Sequence, residues 1–297
     1  MIASGMSITS PLKPTPVLAV VTVSYRSGTV LKGFLDSVVA SSASPLQIVV
    51  ADNATDDPLV ARLTVDAHAS YLPLEQNLGY GGGMNAAIRS LPPETKWVLV
   101  TNPDVVLSTG CIDLLVAAGE SDARIGAVGP AILTDGVLYP SARAVPSLRT
   151  GIGHALLANI WQRNPFTRAY RNDSTQAPVR RDAGWLSGAC LLVRKSAFDE
   201  LGGFDDGYFM YFEDVDLGFR LGRAGYRNVY EPAAVVEHSG AHSTSEQSAR
   251  MIAVHHQSAR RFLARKYSGW YLWPVRFALM LGLDLRSAVL SRRATHH

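Results

Sequence analysis

A chain of 297 residues can hold one large α/β domain with an extension, or two smaller domains. Its composition, 47% apolar and 18% charged, is that of a globular protein with rather few charges. The two cysteines, Cys111 and Cys190, form no CxxC, which excludes a thiolate zinc cluster and fits a reducing compartment.

The net charge of +3 is unevenly spread: residues 251–297 hold eight Lys/Arg against Asp284, a net +7, which leaves −4 for the first 250 residues. A basic tail on a mildly acidic body points to an anionic surface as partner, with no nucleic acid expected. Residues 1–16 have no apolar stretch and read as a polar lead rather than a signal peptide, so a cytoplasmic protein is expected. No run of 18 uncharged apolar residues suggests a span of the bilayer.

Val17–Val23 is a continuous β-branched apolar run, the pattern of a buried parallel strand. The turn Ser24-Tyr25-Arg26-Ser27-Gly28 follows, then a helix over Val30–Ala40 with Leu31, Leu35 and Val38 inward. Leu46–Ala51 reads as the second strand, ending at Asp52-Asn53. Asp57–Ala69 reads as a helix and Ser70–Leu74 as a short strand. This rhythm predicts a doubly wound, mostly parallel α/β sheet whose ligands sit at the carboxyl ends of the strands. Asp52 and Asn53 lie at such an end, where an ordinary Asx turn is the rival reading.

Gln76–Asn85 contains Gly79, Gly81, Gly82 and Gly83 ahead of a helix predicted over Met84–Leu91. Such a loop leaves backbone amides free to approach a phosphate or sugar, or is merely a flexible connector. It matches neither the dinucleotide fingerprint nor a Walker lysine motif. Trp97–Thr101 predicts a fourth strand that ends in Asn102-Pro103-Asp104. The proline makes this turn rigid, and a carboxylate held there suits Mg2+ or Mn2+. The same tripeptide also occurs as a plain turn.

Ile125–Leu133 predicts a fifth strand. Residues 139–182 then carry four prolines and seven arginines, and read as an acceptor-side insert or as disorder. Trp185–Val193 returns to strand, and its GWLSG lacks the GxSxG spacing of a serine-hydrolase elbow.

Gly202–Gly225 is the most distinctive stretch. A Gly-Gly turn leads through Phe204, Tyr208, Phe209, Tyr211 and Phe212 into Glu213, Asp214 and Asp216, where a helix should begin. Acids in a first turn complement the helix dipole. An apolar wall behind them also raises a carboxyl's pKa and makes it a usable base near neutral pH. Arg227–Val236 predicts another strand, delivering the loop Glu237-His238-Ser239-Gly240. His238 there reads as a solvated polar residue or as a further metal position. Ser245–Lys266 reads as a helix whose His255 and His256 receive no role. Trp270–Leu283, broken by Pro274 and Arg276, suits a helix in the lipid headgroup layer or a core or dimer helix, so a homo-oligomer stays open.

Taken in order, VTVSY, VVADNAT, QNLGYGGGMN, TNPD, WLSGACLLVRKSAF, GGFDDGYFMYFEDVDL and EHSG resemble the inverting glycosyltransferases of family 2, which have the nucleotide-diphospho-sugar GT-A fold. The likeness spans roughly residues 17–243 and is strongest to the rhamnosyltransferase branch, in particular the actinobacterial enzymes of cell-wall linker (arabinogalactan) synthesis. It implies a metal-dependent transfer of L-rhamnose from a dTDP-sugar donor to a polyprenyl-diphosphate-linked GlcNAc acceptor. It implies a GT-A catalytic domain over 17–244, with 245–297 as a helical segment held peripherally at the inner face of the cell membrane. By the same resemblance Ser24, Tyr25, Asp52, Asn53, Asn77, Gly79, Tyr80, Gly81, Gly82 and Asn102 face the donor. Asp104 holds Mn2+ or Mg2+, with His238 supplying a ligand where relatives carry an acid at the Asn102 position. Asp214 is the general base beside Glu213, and Trp185, Ser187, Gly188 and Asp216 lie on the acceptor side. A glycosyltransferase of the same fold using another nucleotide sugar or a polysaccharide acceptor, a sugar-nucleotide hydrolase, a nucleotidyltransferase and a non-catalytic carbohydrate- or membrane-binding module are the alternatives.

Overall fold

Seven consecutive buried residues form the first strand, β1 (Leu18–Ser24), as a sheet covered on both faces requires. The computed structural model describes residues 18–147, 178–239, 248–279 and 281–282. After β1 come α1 (Gly28–Ala40), β2 (Gln47–Asp52), α2 (Pro58–Asp66), β3 (Ser70–Pro73), α3 (Gly79–Arg89) and β4 (Trp97–Thr101). The chain continues through β5 (Val105–Leu107), α4 (Cys111–Glu120), β6 (Ile125–Thr134), β7 (Val137–Tyr139) and β8 (Ala142–Arg143). β9 (Arg181–Ala183), β10 (Trp185–Leu186), β11 (Cys190–Arg194), α5 (Lys195–Glu200), α6 (Glu213–Arg223), β12 (Arg227–His238) and α7 (Ser248–Lys266) complete it. Most of the predicted acceptor-side insert, residues 148–177, lies outside the described residues.

The main sheet runs β3-β2-β1-β4-β11-β6-β12-β5, with β7 beside β6 and β9 beside β12. β3, β2, β1 and β4 are mutually parallel, so their carboxyl ends share one edge. β11 runs antiparallel to both β4 and β6. One sheet face buries Leu31, Phe34, Ile112 and Leu115 from α1 and α4. The other buries Met84, Phe198, Phe204, Leu217 and Leu221 from α3, α5, α6 and the segment between. A third cluster, Tyr208, Val215 and Phe262, joins α7 to α6.

Three differences from the predicted elements matter for the site. The strand expected over Trp185–Val193 is broken, because Ser187-Gly188-Ala189 turns away between β10, which pairs with β8, and β11, which pairs with β4. β12 extends two residues beyond Val236, so His238 is a strand residue paired with Val105 of β5, a short strand the sequence pattern does not announce. Finally, α3 starts at Gly79 rather than Met84, and its glycines lie inside the helix.

Candidate functional site

The carboxyl edge of the parallel strands gathers the first group. Ser24 and Asp52 are register partners on β1 and β2, and Thr22 pairs with Thr101 just before Asn102. The Asp52 carboxylate accepts from the Tyr71 hydroxyl (2.9 Å) and the Ala54 amide (3.1 Å) and has no exposed surface. Burial pushes its pKa up, and these two hydrogen bonds oppose that rise. Tyr71 in turn is pushed up to about 12 by burial and by the carboxylate it faces. Tyr25 is the open group at this edge, 43% exposed, while the buried Ser24 hydroxyl has no partner among the described residues.

The glycine run does something other than leave amides free. Gly79 has φ +72°, and a Cβ there would lie 2.0 Å from the Phe209 carbonyl oxygen, so only glycine allows this approach. Its amide donates to Asn77 Oδ1 (2.9 Å), and the Tyr80 amide donates to that same Phe209 carbonyl (3.0 Å). Asn53 clamps the turn from the other side, its Nδ2 donating to the Gly79 carbonyl (2.9 Å) and its Oδ1 accepting from the Leu78 amide (3.0 Å). Further in, a Cβ at Gly83 would lie 2.8 Å from Val23 Cγ2. The glycines therefore let α3 press onto β1 and onto the aromatic segment before α6. As an open anion cradle, Gly79 and Tyr80 are corrected: their amides already have protein partners.

The second group lies beside β4. Asp104 Oδ1 is 3.3 Å from His238 Nε2, and Asp104 Oδ2 accepts from the Ser239 hydroxyl (3.2 Å). Asn102 Nδ2 lies 3.1 Å from the same His238 nitrogen. Burial alone would raise the Asp104 carboxyl, but the hydrogen bond and charge of His238, helped by Ser239, hold it below the usual carboxylate range. Protonated, His238 Nε2 donates to the Asp104 carboxylate; as a neutral ring it offers the lone pair of that same nitrogen beside the carboxylate, with the Asn102 side chain as its other neighbour. The oxygen of Asp104 and the imidazole nitrogen of His238 are a donor pair that fits a divalent cation. No cluster of three or more His, Cys, Asp or Glu capable of metal binding exists among the described residues.

The third group is the turn into α6. Asp214 Oδ2 accepts from the Gly188 amide (2.9 Å) and Oδ1 from the Val215 amide (2.7 Å), so its carboxylate is held in a fixed direction. Glu213 is 7% exposed, and its Oε2 has no hydrogen-bond partner among the described residues. Burial raises both carboxyls above the ordinary range, and the Asp214 charge raises Glu213 further.

These groups meet at the break between β10 and β11. Ala189 accepts from the Asn102 amide (2.9 Å), while the adjacent Gly188 donates to Asp214. The Tyr80 hydroxyl donates to the Gly188 carbonyl. Burial raises that hydroxyl's pKa first, and the charges of Glu213, Asp214 and Asp104 add to it.

Not every expected residue joins them. Asp216 has no exposed surface; Arg220 (2.7 Å) and Arg265 (2.9 Å) occupy its carboxylate. An acceptor-side role is corrected to a structural one, because no face is left for a ligand. The Trp185 indole donates to the Ala144 carbonyl (3.1 Å), and Ser187 is buried with its amide on the Ser141 carbonyl (2.8 Å). Sequence reasoning missed Tyr71 and the Phe209 carbonyl, which hold Asp52 and Tyr80. Tyr71 occupies a predicted strand, yet no periodicity reveals a hydroxyl that reaches across to β2.

The model of the glycosyltransferase-like family 2 matches residues 14–260. The N-acetylglucosaminyl-diphospho-decaprenol L-rhamnosyltransferase of Mycobacterium tuberculosis is 46% identical over 289 residues, 94% of each chain. The rhamnosyltransferase WbbL of Escherichia coli is 27% identical over 257 residues, 83% of this chain and 92% of that one. Among solved structures, a mannosyltransferase from Pyrobaculum calidifontis in complex with GDP-Man and Mn2+ superposes with TM-score 0.56 at 18% identity, covering 95% of this chain and 74% of that chain. GalNAc-T7 with UDP, GalNAc and Mn2+ superposes with TM-score 0.57 at 15% identity, covering 84% of this chain and 48% of that chain. The fold is thus the GT-A fold expected from the sequence.

Proposed function

The chain belongs to the glycosyltransferase-like family 2, and from that premise we propose that it transfers L-rhamnose from dTDP-rhamnose to a polyprenyl-diphosphate-linked N-acetylglucosamine, inverting the anomeric carbon, during cell-wall linker synthesis. Its likeness to the mycobacterial enzyme supports the substrates. The observation that carries the chemistry is the meeting of the Asp104–His238 pair and the Glu213–Asp214 pair across Gly188-Ala189.

Displacement at a sugar carbon needs a stabilised leaving group on one side and a deprotonated hydroxyl on the other. Asp104 and His238 would hold Mn2+ or Mg2+, which supplies neutralisation of charge on the departing diphosphate. Asp214, its direction set by the Gly188 and Val215 amides, takes the proton of the acceptor hydroxyl, a contribution of about 10²–10⁴ in rate. No covalent nucleophile is needed. Ser24, Tyr25 and Asp52 line the strand edge where the nucleoside sits, and the Ser24 hydroxyl supplies an unused hydrogen-bonding group there. Gly188, whose amide holds Asp214, lies on the acceptor side.

The experiment is turnover against a panel of nucleotide sugars with GlcNAc-diphospho-polyprenol as acceptor. A new disaccharide lipid formed fastest from dTDP-rhamnose supports the reading. Release of free sugar with no glycosidic bond would make the chain a hydrolase, and no reaction with any donor would favour a binding module.

A second part of the reading concerns the segment after α7. Trp270 (85%), Tyr271 (66%), Trp273 (61%) and Phe277 (64%) are exposed around Arg276, and no helix among the described residues is long and apolar enough to cross a membrane. Aromatic rings beside a cation suit the headgroup layer, so this segment docks at the cytoplasmic face, where a lipid-linked acceptor is presented. Deleting the residues after Ser268 is expected to abolish co-sedimentation with phosphatidylcholine vesicles containing phosphatidylglycerol. Unchanged pelleting would mean that the segment packs on protein.

A further inference from the structure

Two consecutive aromatic residues, Tyr211 and Phe212, have left-handed backbone, φ +69° and +68°, immediately before Glu213 and Asp214. Bulky residues there are strained and persist only where the surroundings over-determine them. In this chain the surroundings are the C-terminal helix. The His255 ring meets Tyr211 and Phe212 edge-on, with centroids 5.5 and 5.4 Å apart. Phe262, fully buried, lies 5.7 Å from Phe212 and 5.8 Å from Phe219. The Ser258 hydroxyl donates to the Met210 carbonyl (2.8 Å). Arg265 ties Asp205 to Asp216, so the two ends of the segment are fixed by one guanidinium.

The mechanism above uses none of these α7 residues. We propose that α7 is part of the transfer apparatus: His255, Ser258, Phe262 and Arg265 are positioning residues that hold the Tyr211-Phe212 turn, and with it the direction of the Glu213 and Asp214 carboxylates. The proposal rests on the reading of that pair as the proton acceptor. It explains why a helix remote in sequence has aromatic, hydroxyl and guanidinium groups aimed at one short turn, where packing alone would be met by aliphatic side chains.

The test is steady-state turnover of the full chain with a water-soluble acceptor analogue, which removes membrane docking from the readout. His255→Ala and Phe262→Leu are expected to lower kcat at least about tenfold with the donor KM unchanged, since misplacement on the ångström scale is enough. Their acid limb of kcat/KM should move to lower pH, because a loosened turn admits water to the carboxyls. Tyr80 and Arg143 act on that pair from other elements and are left intact. His255→Phe should restore turnover at least in part, because it keeps a ring edge-on to Tyr211 and Phe212. The proposal is overturned if both variants keep wild-type kcat, if activity falls only in step with the folded fraction at an unmoved pH limb, or if His255→Phe is as damaged as His255→Ala. Asp214→Asn in the same assay separates the two readings: if it is fully active the proton-acceptor reading fails, whereas if it is inactive beside normal α7 variants the positioning role alone fails.

Discussion

Asp214→Asn is expected to lower kcat by about 10²–10⁴-fold while nucleotide-sugar binding persists. The substitution keeps the side chain's shape and removes its capacity to accept a proton. One of the two backbone amides on Asp214, from Gly188 and Val215, then faces an NH2 group, at a stability loss of about 1 kcal/mol. Glu213→Gln should behave differently. Both carboxyls are raised by burial, and each disfavours ionisation of the other, so the acid limb of kcat/KM belongs above the ordinary carboxyl range. Asp214 is already charged when Glu213 loses its proton, so Gln mimics the protonated Glu213, and the acid limb set by Asp214 should stay in place with most turnover retained. The sign for stability follows. A carboxyl with a raised folded-state pKa holds its proton more tightly folded than unfolded, so its cost appears as pH rises above the unfolded value. Glu213→Gln should therefore raise the folding midpoint at neutral pH. Full activity in Asp214→Asn would remove it as the base.

Asp104→Ala is the second large effect, expected to lower turnover by about 10³-fold or more, the scale of several kcal/mol of lost charge stabilisation. Wild-type activity should vanish with a chelator and return with Mn2+ or Mg2+. His238→Ala should show a smaller loss, mainly as weaker apparent metal affinity, because Asp104 keeps its Ser239 contact and gains solvent in place of the imidazole. Activity indifferent to chelation, with Asp104→Ala as active as wild type, would take the pair out of the donor site and leave Asp104 a buried turn residue.

The elements were legible where one physical signal dominates. The run at Val17–Val23, the proline turn before Asp104 and the acids ahead of α6 can be read from local pattern, since burial on both faces, a fixed φ and the helix dipole each act within a few residues. Contacts between distant elements left no such mark. The glycines of α3 look like a loop in sequence, and their use becomes visible only with Val23 and the Phe209 carbonyl against them. Asp216 shares its helix turn with Asp214, and nothing local says that one is enclosed by Arg220 and Arg265 while the other meets Gly188. The break after Leu186 is tertiary as well, since β10 follows β8 while β11 follows β4. For α7 the spacing of Ala259 and Phe262 marks a buried face without identifying what covers it.

Inverting transfer at this site requires that a cation-held diphosphate leaves from one side of the hexose while Asp214 deprotonates the acceptor on the other. The anomeric configuration of the disaccharide lipid, determined by NMR on product made from dTDP-rhamnose, tests this most directly. Opposite configuration to the donor is the predicted result. Retained configuration, or rhamnose released to water with no lipid product, would contradict it.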